Sequence, residues 1–369
     1  MKRNRSQGSP DYVLLGTTLF LVFFGLIVLS SASLVLSQNR YGNTFYYLVH
    51  QLIFGALPGI ILMSIASVVS YTIWRRLAPV LMLVSIGTLV LVLIPNVGIE
   101  IGGAKRWLNL GITTFQPSEL AKLSLILYLA AWFDKKQHSI GDLVSGYIPS
   151  LIIVGLFVGL IYLQPDLGTL IIISLIAASM FFVAGTKLRH LATTAVLAFT
   201  ALYLAIRAAP YRVARLVTFL DPSYDPQGIG YHVNQALLAV GSGGLLGYGF
   251  NRSLQKYNYL PEPMTDSVFA IMAEEMGFIR TALIVAAFAV LIYSGFKVAQ
   301  NAPDDFSRLL AVGITSWIGI QTFINIGALI GILPLTGIPL PFLSYGSSNL
   351  IVTLLGIGIL LNISKHAHK

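Results

Sequence analysis

Apolar residues come in blocks long enough to cross a lipid bilayer, separated by polar stretches. A bilayer core needs about 20 such residues per helix. Blocks of this kind lie at 12–36, 46–70, 77–96, 116–133, 146–164, 168–186, 188–207, 268–297, 307–331 and 344–363. They predict an all-α, polytopic membrane protein of about ten helices, forming a single transmembrane domain over residues 1–369. Only the turn Gly185-Thr186-Lys187-Leu188-Arg189-His190 parts the sixth block from the seventh, and one re-entrant element there would change the count. The first block follows a basic start (Lys2, Arg3, Arg5). It exceeds the about 7–15 residues of a signal-peptide core, so it reads as a retained first helix.

The longest interruption, residues 208–267, separates the seventh and eighth helices. Connections above about 15 residues are usually functional or disordered. This one carries Phe219, Tyr224, Tyr231, Phe250, Tyr257 and Tyr259, so it is expected to be a structured loop, packed as a lid or cradle. Asn234–Val240 reads as a short helix closed by Gly241-Ser242-Gly243-Gly244, and Asp221-Pro222 and Asp225-Pro226 read as turns. At its end, Thr265 is a candidate N-cap. Asp266 would then lie in the first helical turn, at the positive end of the helix dipole. The alternative is that Asp266 merely caps a helix.

Composition agrees with membrane burial: 56% of residues are hydrophobic and 10% charged, against about 25% charged in soluble domains. Cysteine is absent, which excludes disulfides and thiolate metal sites. The net charge is +9, and its placement is more informative than its sum. With both termini in the cytoplasm, Lys2, Arg3, Arg5, Arg75, Arg76, Lys135, Lys136, Lys187, Arg189, Lys297, Arg308, Lys365 and Lys369 all fall inside, as the positive-inside rule asks. The rest, including Arg40, Lys105, Arg106, Lys122, Arg207, Arg212, Arg215, Arg252, Lys256 and Arg280, fall outside or within spans. Long outer loops translocate whatever their charge; the alternative is an outward cationic site for an anionic ligand. Ionisable residues inside spans are costly and are usually paired or functional. Glu119 and Lys122 share a helix face and suit an ion pair, Glu274 and Glu275 stand in the eighth block, and Arg280 is a partner candidate for Glu275.

Several segments together resemble the SEDS family (shape, elongation, division and sporulation). They are Gly103-Ala104-Lys105-Arg106-Trp107-Leu108, Phe115-Gln116-Pro117-Ser118-Glu119-Leu120-Ala121-Lys122 and Gln164-Pro165-Asp166-Leu167-Gly168-Thr169. Others are Phe219-Leu220-Asp221-Pro222, Gly230-Tyr231-His232, Gln255-Lys256-Tyr257, Tyr259-Leu260-Pro261-Glu262, Thr265-Asp266, Glu274-Glu275 and Leu333-Pro334-Leu335-Thr336-Gly337. They fall in order over most of residues 100–350. Gln255–Pro263 is nearer to the FtsW and SpoVE division branch, whereas Phe219–Pro222, Tyr231-His232 and Pro339–Pro341 are more like RodA. Ser267 departs from the family, which often has an aromatic residue there, and Ser347-Ser348-Asn349 departs near the last loop.

The resemblance implies a peptidoglycan glycan-strand polymerase in the bacterial inner membrane. It would transfer lipid II-linked disaccharide units with inversion, on the extracytoplasmic face, for division or elongation. Its partner would be a class B penicillin-binding transpeptidase with a single transmembrane helix, within a division or elongation complex; no nucleic acid is implied. Asp266 is the candidate base, with acceptor orientation or a divalent cation as its alternative roles. Lys105, Arg106, Arg212 and Arg215 are candidates for the diphosphate, since guanidinium forks match phosphate oxygens. Glu119, Lys122 and Glu274 are candidates for the cavity entrance. Trp107, Tyr162, Tyr231 and Tyr345 would stack on sugars or, as interfacial aromatics commonly do, form a belt. The rival functions are a lipid II flippase and a scaffold that recruits the transpeptidase.

Overall fold

A computed structural model describes residues 8–101, 103–137, 139–221, 224–225 and 227–367, with the backbone alone at Ile101 and Ile229. Lys2, Arg3, Arg5, Lys369 and the turn prolines Pro222 and Pro226 lie outside the described residues.

The elements follow in order: α1 (Tyr12–Ala32), α2 (Leu34–Tyr41), α3 (Tyr46–Gln51), α4 (Leu57–Val68), α5 (Tyr71–Leu93), β1 (Gly98–Ile101), β2 (Ala104–Asn109), β3 (Thr114–Phe115), α6 (Pro117–Lys135), α7 (Ile148–Tyr162), α8 (Leu167–Val183), α9 (Leu188–Arg207), α10 (Pro210–Leu220), α11 (Ile229–Ser242), α12 (Val268–Gln300), α13 (Asp305–Leu329) and α14 (Ser347–His366). A π-helical turn, Leu52–Ala56, joins α3 to α4 in one rod, and another, Leu143–Tyr147, leads into α7. Eight of the resulting helices are long and apolar enough to cross a membrane. The α8 helix is apolar but shorter, and α6 has 19 residues with charges at both ends.

Local chemistry sets the helix starts. The Asp11 carboxylate accepts from the amides of Val13 and Leu14, each at 2.9 Å. Asp166 accepts from the Thr169 amide at 3.1 Å, and Asp304 forms a reciprocal capping box with Ser307. Pro117 opens α6, where its missing N–H costs nothing. Packing ranks the helices: 83% of the most apolar stretch of α14 and 78% of that of α13 are buried, against 6% for α9. The first two form the centre and α9 lies at the rim. The first and last described segments meet at one end of the bundle, where the Gly8 amide donates to the Lys365 carbonyl at 2.9 Å. Lys365 donates to the Ser67 carbonyl there, Tyr71 to Asp304, and Arg75 pairs with Asp134.

Three expectations need correction. The chain is not purely helical: β1, β2 and β3 form an antiparallel sheet over 98–115, with Glu100 opposite Lys105 and Leu108 opposite Phe115. Gly111, at φ +86°, turns β2 into β3, with its amide held by Asn109 Oδ1 at 2.8 Å. Second, the block 268–297 is not one straight helix. It breaks at Gly277, at φ 73° and ψ 178°, a conformation open essentially to glycine alone. Third, the 234–240 helix is longer, running over Ile229–Ser242, and α10 precedes it.

The break at Gly277 has a partner. Backbone amides of Tyr248 and Gly249 donate to the carbonyls of Glu274 and Glu275, while those of Phe278 and Ile279 donate to Gly244 and Leu245. A side chain at Gly277 would come within 2.2 Å of the Gly247 nitrogen, and one at Gly247 would meet the Glu275 carbonyl oxygen at 2.2 Å. Two glycines therefore lie back to back, and the loop supplies the hydrogen bonds that the broken helix lacks.

Candidate active site

The arm of α12 before the break is buried along its whole inner face, from Val268 to Glu275. Asp266 stands two residues ahead of it, so the Thr265 cap expectation fails. Ser267 occupies the N-cap position without a capping side-chain bond, and helix α12 starts at Val268. The Thr265 hydroxyl instead contacts the Glu262 carbonyl and carboxylate, the latter at 2.9 Å, and Asp266 Oδ1 at 3.3 Å. Glu262 sits between two prolines in the left-handed region at φ +49°, although the residue before a proline favours extended backbone. This strained corner presents Asp266. Asn325 Nδ2 secures it from α13, donating to the Asp266 carbonyl at 2.8 Å and the Ile338 carbonyl at 2.7 Å.

Asp266 faces a cavity of about 310 Å³, lined by Tyr211, Arg215 and Thr218 of α10, His232 and Val233 of α11, and Leu335 and Gly337 of the last long connection. Burial, and then the neighbouring Glu262 charge, push the Asp266 carboxyl up to about 7; its backbone amide, Thr265 and Arg215 oppose the rise. The side chain keeps some solvent contact, yet protein crowds it closely. Burial and then Arg215 push the His232 imidazole down to about 4. Near neutral pH the cavity therefore holds a half-ionised carboxyl, a neutral imidazole and a guanidinium. A carboxyl whose ionisation falls near the working pH suits proton transfer.

A second cavity, about 400 Å³, lies between α8 and α13. It is lined by apolar side chains including Ile171, Leu175, Ile320 and Phe323, with Leu333 to Thr336 at one edge. The same connection thus borders a polar cavity through Leu335 and Gly337 and an apolar one through Leu333, Pro334 and Thr336.

The other sequence candidates lie elsewhere. Arg106, on β2, donates to the carbonyls of Gln164 and Pro165 and stands 3.9 Å from Asp166. Lys105 is half-buried beside it, facing Glu100 in the strand register. The start of α8 reaches the Asp266 cavity indirectly: a side chain at Gly168 would touch Ile338 and the Thr336 carbonyl. Arg212 is buried between Tyr162 and Tyr211, 5.2 and 5.4 Å from their rings, and donates to the Ala205 carbonyl. It braces α10 against α9, and Arg215, one turn on, lines the cavity.

Glu119 and Lys122 are sealed in the interior. Lys122 Nζ donates to Glu119 at 2.9 Å and to Gln321 Oε1 at 2.8 Å, above the Trp317 ring. Asn349 Nδ2 donates to the other Glu119 oxygen at 2.7 Å. Gln321 Nε2 continues to the Pro339 carbonyl at 2.9 Å, so this network holds the connection that carries Gly337. Glu274 accepts from the Leu254 amide at 2.9 Å and from Ser253, outside the cavity lining. Glu275 pairs with buried Lys256 at 3.0 Å, and Ser31 bonds both, at 2.7 and 2.9 Å. Arg280 does not pair with Glu275; it donates to the Leu246 carbonyl at 3.2 Å.

Among the aromatic candidates, Tyr162 lies under Arg212, and the Tyr345 hydroxyl bonds His50 Nδ1 at 3.0 Å. Sequence reasoning missed His232, Thr218, Tyr211 and Asn325 as parts of the site. The one available signal was Tyr231-His232, which carried a family resemblance without a role.

A profile of the FtsW/RodA/SpoVE family, described as cell cycle protein, matches residues 12–369. The chain is 42% identical over 359 residues to stage V sporulation protein E of Bacillus subtilis (strain 168), covering 97% of this chain and 98% of that protein. It is 38% identical over 354 residues to a probable peptidoglycan glycosyltransferase FtsW of Geobacter sp. (strain M18), covering 96% of each. Among solved structures, it matches a chain from a peptidoglycan synthase complex with a TM-score of 0.80 at 30% identity, covering 97% and 98% of the two chains. A crystal structure of the Thermus thermophilus rod shape determining protein RodA matches with a TM-score of 0.72 at 29% identity, covering 98% of each.

Proposed function

The chain belongs to the FtsW/RodA/SpoVE family, and from that premise we propose that it is a peptidoglycan glycosyltransferase that polymerises lipid II-linked disaccharides at the Asp266 cavity. The observation that carries this reading is the placing of Asp266, with its carboxyl raised to about 7, in one cavity with Arg215.

The donor disaccharide is α-linked to a lipid diphosphate. An acceptor sugar hydroxyl attacks the anomeric carbon from the opposite face. The new β bond forms as the bond to diphosphate breaks, and the bonding electrons leave with the diphosphate. Asp266 takes the hydroxyl proton, a contribution of about 10²–10⁴-fold for a well-placed base. Arg215 is the guanidinium in the cavity that meets the leaving diphosphate. Lys105 and Arg106 lie one layer away around the start of α8, facing Glu100 and Asp166, so they brace that layer and leave the diphosphate to Arg215. Glu119 and Lys122 hold the Pro339 connection, Arg212 fixes α10 and Glu274 fixes the α12 arm, so these four shape the cavity rather than touch substrate. The neighbouring apolar cavity suits the lipid part of the same molecule.

The topology we propose has ten crossings, with α6 and α8 added to the eight long apolar helices. The termini lie in the cytoplasm with Arg75, Lys135, Lys187, Lys297 and Lys365, and Asp266 and the 208–267 loop lie outside. The partner is a single-span transpeptidase, in keeping with the synthase complex that the fold matches. The SpoVE and FtsW relatives, at 42% and 38% identity, are in keeping with the division and sporulation branch.

The test is polymerisation of lipid II by the purified protein. Asp266→Ala is expected to lose about 100-fold or more of the rate while still binding lipid II. Arg215→Ala is expected to weaken both binding and turnover. An Asp266→Ala variant as fast as wild type would remove the reading.

A further inference from the structure

The cavity holds a second group able to receive a hydrogen bond from a substrate. His232 lines it together with Asp266. Its Nε2 lies 2.7 Å from Ser267 Oγ, and that hydroxyl donates to the Pro261 carbonyl at 2.9 Å. A serine hydroxyl has one proton to give. With that proton committed to Pro261, the ring must be the donor at Nε2. Nδ1 is then the bare nitrogen, because a neutral imidazole carries a single N–H. Among the described residues Nδ1 has no hydrogen-bond partner, and it is not one of the buried side-chain atoms left unsatisfied. Ser267 is itself fully buried, so the bond that sets the tautomer is shielded from water.

We propose that His232 is a second catalytic residue, whose Nδ1 accepts a hydrogen bond from the acceptor-sugar hydroxyl next to the attacking one and so aims the attacking oxygen while Asp266 removes its proton. Ser267 is a positioning residue that fixes the tautomer. This rests on the reading of the Asp266 cavity as the site of transfer. The proton ends on Asp266, the ring gains none, and the bonding electrons of the broken anomeric bond leave with the diphosphate. Burial and Arg215 support the role by keeping the ring neutral.

Two amide substitutions separate this role from a structural one. His232→Gln can still donate to Ser267 from about the Nε2 position but offers no acceptor at Nδ1. His232→Asn places a polar group near Nδ1 and gives up the Ser267 bond. The full chain is purified, and kcat, KM for lipid II and melting temperature are measured for both, with Ser267→Ala and Asp266→Asn alongside. The expected result is that His232→Gln lowers kcat by about 10–100-fold with KM and melting temperature near wild type. His232→Asn keeps more activity than His232→Gln despite a lower melting temperature, and Ser267→Ala loses about 3–10-fold in kcat. The inference is overturned if His232→Gln turns over at the wild-type rate, or if losses in both variants simply follow melting temperature. If Asp266→Asn stays active, the assignment of the cavity fails first. If Asp266→Asn is dead and His232→Gln is not, only the role of His232 falls.

Discussion

Asp266 owes its chemistry to standing just outside a helix rather than in its first turn. Inside α12 the helix dipole would hold the carboxylate ionised. In the Pro261–Pro263 corner, burial and Glu262 raise it instead, from 3.8 to about 7. Between those values the folded protein keeps a proton that the unfolded chain has released, so stability falls as pH rises through that window. Asp266→Asn, neutral throughout, is expected to melt about 2–4 °C above wild type at pH 8 and level with it below pH 4, as thermal scans at the two pH values would show. Lys122 poses the opposite case. It is 1% exposed and saturated by Glu119 and Gln321, so removing one partner strands a charge. Glu119→Gln or Lys122→Met is expected to destabilise by about 3–5 kcal/mol, measured by denaturation in detergent, while the double change recovers part of the loss.

At the scale of elements, the break in α12 positions the site. Gly277→Ala is expected to cost about 3 kcal/mol or more, because it loads both a glycine-only conformation and a contact with the Gly247 backbone. Gly87→Ala, in α5 with open space around it, is the control and is expected to be neutral or stabilising. Melting of the two variants checks this. The break was not legible in the sequence. A glycine inside a helical apolar run does not announce itself, and its cause, the 244–249 backbone, is distant in the chain. The sheet over 98–115 was hidden for a similar reason: its strands are short, turns carrying Gly103 and Gly111 interrupt them, and the Glu100–Lys105 register exists only once the hairpin pairs. The apolar helices were legible because burial in lipid leaves a long, unbroken signal. The cationic residues were legible as a group but not in role. Arg212 against two tyrosines and Arg215 in the cavity share a helix and a charge, and only packing tells them apart.

Across the whole molecule, the two ends of the bundle differ. One carries Gly8, Lys365 and the basic turns at Arg75 and Lys135, the other the sheet, α10, α11 and Asp266. The chain has no cysteine, so single cysteines report sidedness cleanly. A membrane-impermeant maleimide applied to intact spheroplasts is expected to label Tyr257→Cys and spare Gln137→Cys, both exposed positions; the reverse labelling contradicts the proposed orientation. The central claim joins these scales: a carboxyl at the outer end of the bundle removes the proton of an attacking sugar hydroxyl. Its most direct test is the pH dependence of the single-turnover rate of lipid II polymerisation by the purified protein. The expected profile climbs about tenfold per pH unit below a bend near pH 7 and then levels, and Asp266→Asn abolishes the activity at every pH. A wild-type rate that stays flat from pH 5.5 to 8.5, about the range that brackets that bend, or an Asp266→Asn variant that retains the bend, would contradict it.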